Sequence, residues 1–182
     1  EWIVTRTGIK ERRICPRGMA SSDLGQLACR KALEDASADP SEIEFIISAT
    51  VSPDMFFPST ACLIQSKLGI RNIPVFDLSA ACSGFIYALE TARNFIECGS
   101  YRTGLVVAND CMSRLTDYKD RGTCVLLGDG AGAAVVRSTE GEAGLMGSYI
   151  SADGNYREIL NAPAGGVTCL LLSKRLKTAA IL

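Results

Sequence analysis

The sequence predicts an α/β fold, layered on a mostly parallel central sheet. Short β-branched, apolar runs alternate along the chain with stretches of helical periodicity, the rhythm of a parallel sheet with crossover helices. Turn chemistry such as Ser52-Pro53-Asp54 and Gly69 marks the changeovers. With 182 residues, 47% hydrophobic and 21% charged, the chain is long and apolar enough to bury a sizeable core as one domain.

In chain order, Leu24, Leu27, Ala28, Ala32 and Leu33 fall at helical spacing within Asp23 to Ala36, with Ser21 and Ser22 available as N-caps. Ile43 to Thr50 is a buried strand. Thr60 to Leu68 is a second helix, closed by Gly69. Val75 to Leu78 is a strand that runs almost directly into a helix from Cys82 to Ile96. That helix is apolar on nearly every face, which predicts burial on all sides, and Gly99 stops it. Leu105 to Ala108 is another strand, followed by a polar loop from Ser113 to Arg121. Ala131 to Val136 and Leu145 to Ile150 are the last strand candidates. There is no internal repeat, low-complexity tract or Pro/Ser-rich linker.

Composition removes several function classes. Nineteen Lys and Arg against twenty Asp and Glu give a formal charge of −1, without the basic excess of a nucleic-acid binder. The histidine count is zero, which excludes Ser-His-Asp triads, Cys-His pairs and His-based zinc sites from within this chain. Eight cysteines, at 15, 29, 62, 82, 98, 111, 124 and 169, form no Cys-x-x-Cys and no cluster, so no metal set is visible and most are expected to be small buried hydrophobes. No signal peptide and no apolar run of ~20 residues is present, so no membrane partner is expected and a reducing cytosol is the expected setting. The chain lacks an initiator Met and opens in mid-pattern, which reads as a piece of a longer protein.

Chemistry concentrates at SAACSGF, Ser79 to Phe85, where small residues surround Cys82 at a strand-to-helix junction. Unpaired N–H groups and the helix dipole at such a junction favour a thiolate, so Cys82 is the candidate nucleophile, and its small neighbours leave a carbonyl room to approach. Read from the residues alone, the alternative of a small core cysteine stands beside it. GDGAGA, Gly128 to Ala133, is not a dinucleotide loop, because a β-like Ala-Ala-Val-Val follows it; tight backbone packing is the expected use of its glycines. Trp2, Arg6, Thr7 and Arg121 offer an aromatic face, guanidinium forks and a hydroxyl, groups that suit a nucleotide-bearing ligand.

EWIVTRTGI at Glu1 to Ile9, FPSTAC at Phe57 to Cys62, SAACSGF around Cys82, DRGT at Asp120 to Thr123 and GDGAGA at Gly128 to Ala133 occur in this order in β-ketoacyl-acyl carrier protein synthase III. The chain resembles the amino-terminal half of that family from Glu1 to about Asn161, including Ala152 to Gly154. The resemblance implies a thiolase-like fold, layered α/β/α/β/α in the whole family, of which only the N-terminal half is represented. Residues 1–167 would be that half-domain with its first strand missing, and 168–182 a tail that does not match the family.

It also implies an acyltransferase that starts fatty acid biosynthesis by decarboxylative Claisen condensation. Cys82 matches the cysteine that takes the acyl group from an acyl-CoA before malonyl-acyl carrier protein condenses with it. Trp2, Arg6, Thr7 and Arg121 match the positions that hold the nucleotide end of coenzyme A, and Phe57 matches an aromatic of the acyl-primer pocket. Coenzyme A would be a substrate carrier, with no resident cofactor. The implied partners are acyl-CoA, malonyl-acyl carrier protein and a second copy in a homodimer, in the cytoplasm or, in a eukaryote, the plastid stroma. Arg12, Arg13 and Arg17 are candidates for a basic patch facing the acidic carrier protein. The family's His and Asn, which stabilise charge during decarboxylation, have no counterpart here, so the chain alone is expected to be incomplete for condensation. A non-catalytic fragment pairing with a full-length synthase, and other thiolase-fold enzymes of the chalcone synthase or hydroxymethylglutaryl-CoA synthase kind, are the alternatives.

Overall fold

A computed structural model describes residues 1–141, 144–162 and 165; the expected tail at 168–182, with Cys169, lies outside them. The described chain divides into two compact units. One holds Glu1–Arg12, Met112–Gly128 and the described residues from Ser151 onward; the other holds Arg13–Cys111 and Asp129–Ile150.

The larger unit is built on four strands, β1 (Phe45–Ala49), β2 (Val75–Leu78), β3 (Thr103–Cys111) and β4 (Asp129–Arg137), in the order β2-β1-β3-β4. β1 pairs in parallel with β2 and β3, and β4 returns antiparallel on β3, so the sheet is mostly parallel as its alternating elements require. Every residue of β1 is buried, because helices cover both faces. Alternation along the strands then sorts the core. Ile46, Leu105 and Val107 meet Cys29 and Leu33 of α2 (Ser21–Asp35) and Ala61 and Ile64 of α3 (Thr60–Leu68). Phe45, Ile47, Ala49 and Val106 meet Ala88 and Ala92 of α4 (Gly84–Glu97) on the other face. Each large apolar side chain so buried contributes roughly 1.5–3 kcal/mol. The result is an α/β/α sandwich.

Gly104 of β3 shows why a residue without Cβ is needed in mid-strand. A Cβ there would lie 2.2 Å from the Phe45 ring, which is fully buried and sits 5.4 Å from both Phe95 and Tyr101, centroid to centroid.

Several expectations are corrected. Ser21 and Ser22 do not cap α2: the N-cap is Ala20, whose N–H donates to the Asp23 carboxylate at 2.8 Å, while the serine hydroxyls donate to Ser52 O and Asp54. α4 is not buried on all sides. Only Gly84, Ala88 and Ala92, one stripe at four-residue spacing, are fully buried, because within this chain the sheet covers a single face of the helix. Leu145 to Ile150 forms no strand, since no backbone among the described residues pairs with it. Gly130 and Gly132 lie in β4, and a Cβ at either would meet nothing within 4 Å, so no close packing among the described residues explains them. Of the seven described cysteines only Cys15, Cys29 and Cys111 are buried, while Cys82 and Cys98 are exposed.

The smaller unit carries α1 (Trp2–Thr7), closed by Gly8 at φ 72, whose N–H donates to Val4 O. Within it the Arg12 guanidinium donates to the Val125 carbonyl.

Candidate active site

Parallel strands bring their carboxyl ends to one edge of a sheet, where open α/β folds hold their sites. Segments 50–59 after β1 and Ser79 to Ser83 after β2 leave that edge, beside the end of β3 at Cys111. The two segments start as direct neighbours, with Thr50 N–H donating to Leu78 O at 3.2 Å.

Cys82 sits in the 3-10 turn Ala81–Ser83, immediately before α4. Ala81 has φ 45, a left-handed backbone that costs a residue with a Cβ about 1–3 kcal/mol and persists only where surrounding structure enforces it. The enforcement is visible: Ser83 N–H donates to Ala80 O at 3.1 Å and Gly84 N–H to Ala81 O. Gly84 is buried, and a Cβ there would lie 3.1 Å from Ala49 Cβ, so glycine lets the helix start press on β1 directly beneath the cysteine. No side chain caps the start of α4, and no acidic residue occupies its first turn. Its positive end is therefore uncompensated, which favours an anion in front of it. Cys82 itself is exposed.

Burial pushes the Cys29 thiol up to about 12. Cys98, exposed at the opposite end of α4, is lowered by its hydrogen bond with Ser100, whose Oγ is 3.1 Å away.

Phe57 lies on the 50–59 segment and is 85% exposed, with Phe56 beside it at 81%. Carboxylates tie this segment down on both sides of them. Asp110 Oδ1, at the end of β3, accepts from Thr50 Oγ1 at 2.9 Å, Val51 N–H at 2.9 Å, Ser52 N–H at 3.0 Å and Ser52 Oγ at 2.8 Å. Asp54 accepts from Ser22 N–H at 2.8 Å and Ser22 Oγ at 2.7 Å. Beyond the aromatic pair, Asp77 of β2 accepts from Thr60 and Ala61 N–H at 2.7 and 2.8 Å, satisfying the start of α3.

In the smaller unit, Trp2, Arg6 and Thr7 share α1. The Arg6 guanidinium stands 5.7 Å from the Trp2 ring centroid, so one indole face already carries a cation. Thr7 Oγ1 donates its proton to Ile3 O at 2.8 Å and accepts from Ile9 N–H at 3.1 Å, which leaves it no donor for a phosphate as placed. Arg121 is exposed, in the turn where Asp120 accepts from Gly122 N–H at 2.9 Å and from the Thr123 hydroxyl. Thus Cys82 and Phe57 belong to one compact unit, and Trp2, Arg6, Thr7 and Arg121 to the other.

Sequence reading missed Asp110, Asp77 and the Ala81 backbone. An acid at or near the end of an apolar strand was the available signal for the first two; nothing in the residue type announces the third. Among the described residues no three His, Cys, Asp or Glu side chains gather as a metal site, and no helix is long and apolar enough to cross a membrane.

Comparison with known proteins converges. A family model described as 3-oxoacyl-[acyl-carrier-protein] synthase III matches residues 76–154, which include Cys82. β-Ketoacyl-[acyl-carrier-protein] synthase III of Caldanaerobacter subterraneus subsp. tengcongensis is 54% identical over 166 residues, covering 91% of this chain and 50% of that protein. The protein of the same name from Clostridium acetobutylicum is 50% identical over 167 residues, 92% of this chain and 51% of that protein. The chain thus spans about half the length of the curated relatives it matches. A crystal structure of 3-oxoacyl-[acyl-carrier-protein] synthase III from Aquifex aeolicus superimposes with a TM-score of 0.86 at 45% identity, covering 88% of this chain and 52% of that one.

Proposed function

We propose that the chain belongs to the β-ketoacyl-acyl carrier protein synthase III family, whose members it matches at 50–54% identity over about half their length, and that Cys82 carries the acyl group in the first condensation of fatty acid synthesis. One observation supports this most: an exposed cysteine on a strained turn, immediately before the uncapped, positive start of a helix that glycine seats against the sheet.

Each step follows from these groups. The Cys82 thiolate attacks the carbonyl carbon of an acyl-CoA thioester; the carbon–sulfur bond to coenzyme A breaks, and the departing coenzyme A thiolate takes up a proton from solvent. Backbone N–H groups at the start of α4 stabilise negative charge beside the sulfur. Malonyl-acyl carrier protein then loses carbon dioxide, the resulting carbanion attacks the acyl-cysteine carbonyl, and the Cys82 thiolate leaves. This second stage needs donors for the enolate charge. With no histidine in the sequence, the family's His and Asn would come from its other half. Trp2, Arg6 and Arg121 are the proposed coenzyme A contacts, with Thr7 joining them only if its hydroxyl turns away from Ile3. Phe57 bounds the acyl pocket. Coenzyme A acts as carrier of the substrate, and a cytoplasmic homodimer is the form expected of it.

The test is acyl transfer. Incubated with radiolabelled acetyl-CoA, the complete gene product should retain protein-bound label that hydroxylamine releases as a thioester, and Cys82→Ala should retain none. Equal labelling of the two folded proteins would overturn the proposal.

A further inference from the structure

Phe57 presents an unusual problem of placement. With 85% of it exposed, no packing among the described residues fixes its ring; Phe56, its neighbour, is 81% exposed and gives no support. What is fixed is the backbone that leads to it. Asp110 Oδ1 gathers the hydroxyl of Thr50, the N–H groups of Val51 and Ser52 and the hydroxyl of Ser52, all within 3.0 Å. Ser52 Oγ is held in turn by Cys111 N–H at 2.8 Å and stands 3.2 Å from Ser21 Oγ. The turn leaving β1 is thus fastened to the end of β3 through a single charged oxygen, and charge-assisted hydrogen bonds are roughly twice as strong as neutral ones. Asp54 adds a second fastening, to the start of α2, three residues before Phe57.

We propose that Asp110 is a positioning residue for acyl-group selection: by holding Thr50, Val51 and Ser52 it fixes the depth at which Phe57 bounds the acyl pocket. The inference rests on the acyl-transfer reading of Cys82 and on the proposed place of Phe57 in the acyl pocket, and adds to them the group that sets which acyl chains are accepted. A pocket wall held by backbone ties discriminates by position. One methylene in such a pocket is worth about 10–200-fold in rate, so loosening the ties should erase a measurable part of that ratio.

The experiment measures labelling rates of Cys82 in the complete gene product with acetyl-CoA and with butyryl-CoA. In Asp110→Asn the ratio of the two rates should shift by about tenfold, in the direction of the chain that the wild type disfavours. Asp110→Glu should recover part of the wild-type ratio, and Ser52→Ala, which removes only the bridging hydroxyl, should shift it in the same sense should Asp110→Asn fail to fold. A merely structural role is separated by a cycle: in a Phe57→Ala background, the Asp110 substitution should leave the ratio unchanged. Wild-type labelling with an unaltered ratio in Asp110→Asn and Ser52→Ala, or an equal shift in both backgrounds, overturns the role of Asp110 alone. Absence of wild-type labelling with either thioester overturns the acyl-transfer reading, and this inference with it.

Discussion

Replacing Gly84 by Ala tests whether the seat of α4 on the sheet controls the cysteine above it. The added Cβ would lie 3.1 Å from Ala49 Cβ, whereas carbon atoms rest at about 3.5–4.0 Å, so helix and strand must part by roughly 0.4–0.9 Å. Ala49 lies in a strand paired on both sides and has nowhere to retreat. Overpacking of this kind costs about 1–3 kcal/mol, and the better helix propensity of Ala returns about 1 kcal/mol, for a net loss of about 0–2 kcal/mol. Function should suffer more than stability. If a displacement of 1 Å costs about 10²-fold, a shift of half that slows acetyl labelling of Cys82 by roughly tenfold. Urea unfolding gives the first quantity and the labelling rate of folded protein the second. Gly104→Ala is the control, because its clash at 2.2 Å with the Phe45 ring destabilises the core without touching the turn. Wild-type labelling rates in Gly84→Ala, or equal slowing in Gly104→Ala, would refute the reasoning.

Iodoacetamide should modify Cys82 and Cys98 first and leave Cys29 untouched until unfolding, since burial holds the Cys29 thiol up near 12; peptide mapping over a time course reads the order. Glu90, held down to about 2 mainly by hydrogen bonds from Arg93 and then Ser148, should stabilise the fold fully above its unfolded value of 4.5 and lose that contribution as pH falls towards 2. The denaturant midpoints of wild type and Glu90→Gln should therefore differ at pH 7, draw together below pH 4.5 and converge only as pH falls to about 2, and a constant difference would contradict this. The isolated 182-residue chain should form little or no β-ketoacyl product even if it self-acylates, because it contains no histidine and each missing enolate donor costs about 2.7–4 kcal/mol. Product from malonyl-acyl carrier protein, followed by chromatography, would show otherwise.

Much of the fold was legible because its signals are local. Thr60–Leu68 and Val75–Leu78 appear at their expected bounds, one closed by a left-handed glycine and the other by the small residues before Cys82. The strand expected at Leu145 to Ile150 failed for a non-local reason: apolar character does not make a strand without a partner, and none is present among the described residues. The full burial expected of α4 failed likewise, because composition counts apolar faces and not the surfaces available to cover them. Ser21 and Ser22 looked like caps, but the 50–59 segment competes for their hydroxyls from more than thirty residues away in sequence. The same limit hid Asp110. Its role arises only when the ends of β1 and β3 lie side by side, whereas Cys82 carries its signal in its immediate neighbours.

The most direct test is to locate the acyl group itself. After brief exposure of the complete protein to acetyl-CoA and an acid quench, tandem mass spectrometry should find an acetyl thioester on the peptide containing Cys82 and none on those with Cys62, Cys98 or Cys124. An acetyl group distributed over the accessible cysteines, or confined to one other than Cys82, would contradict the account.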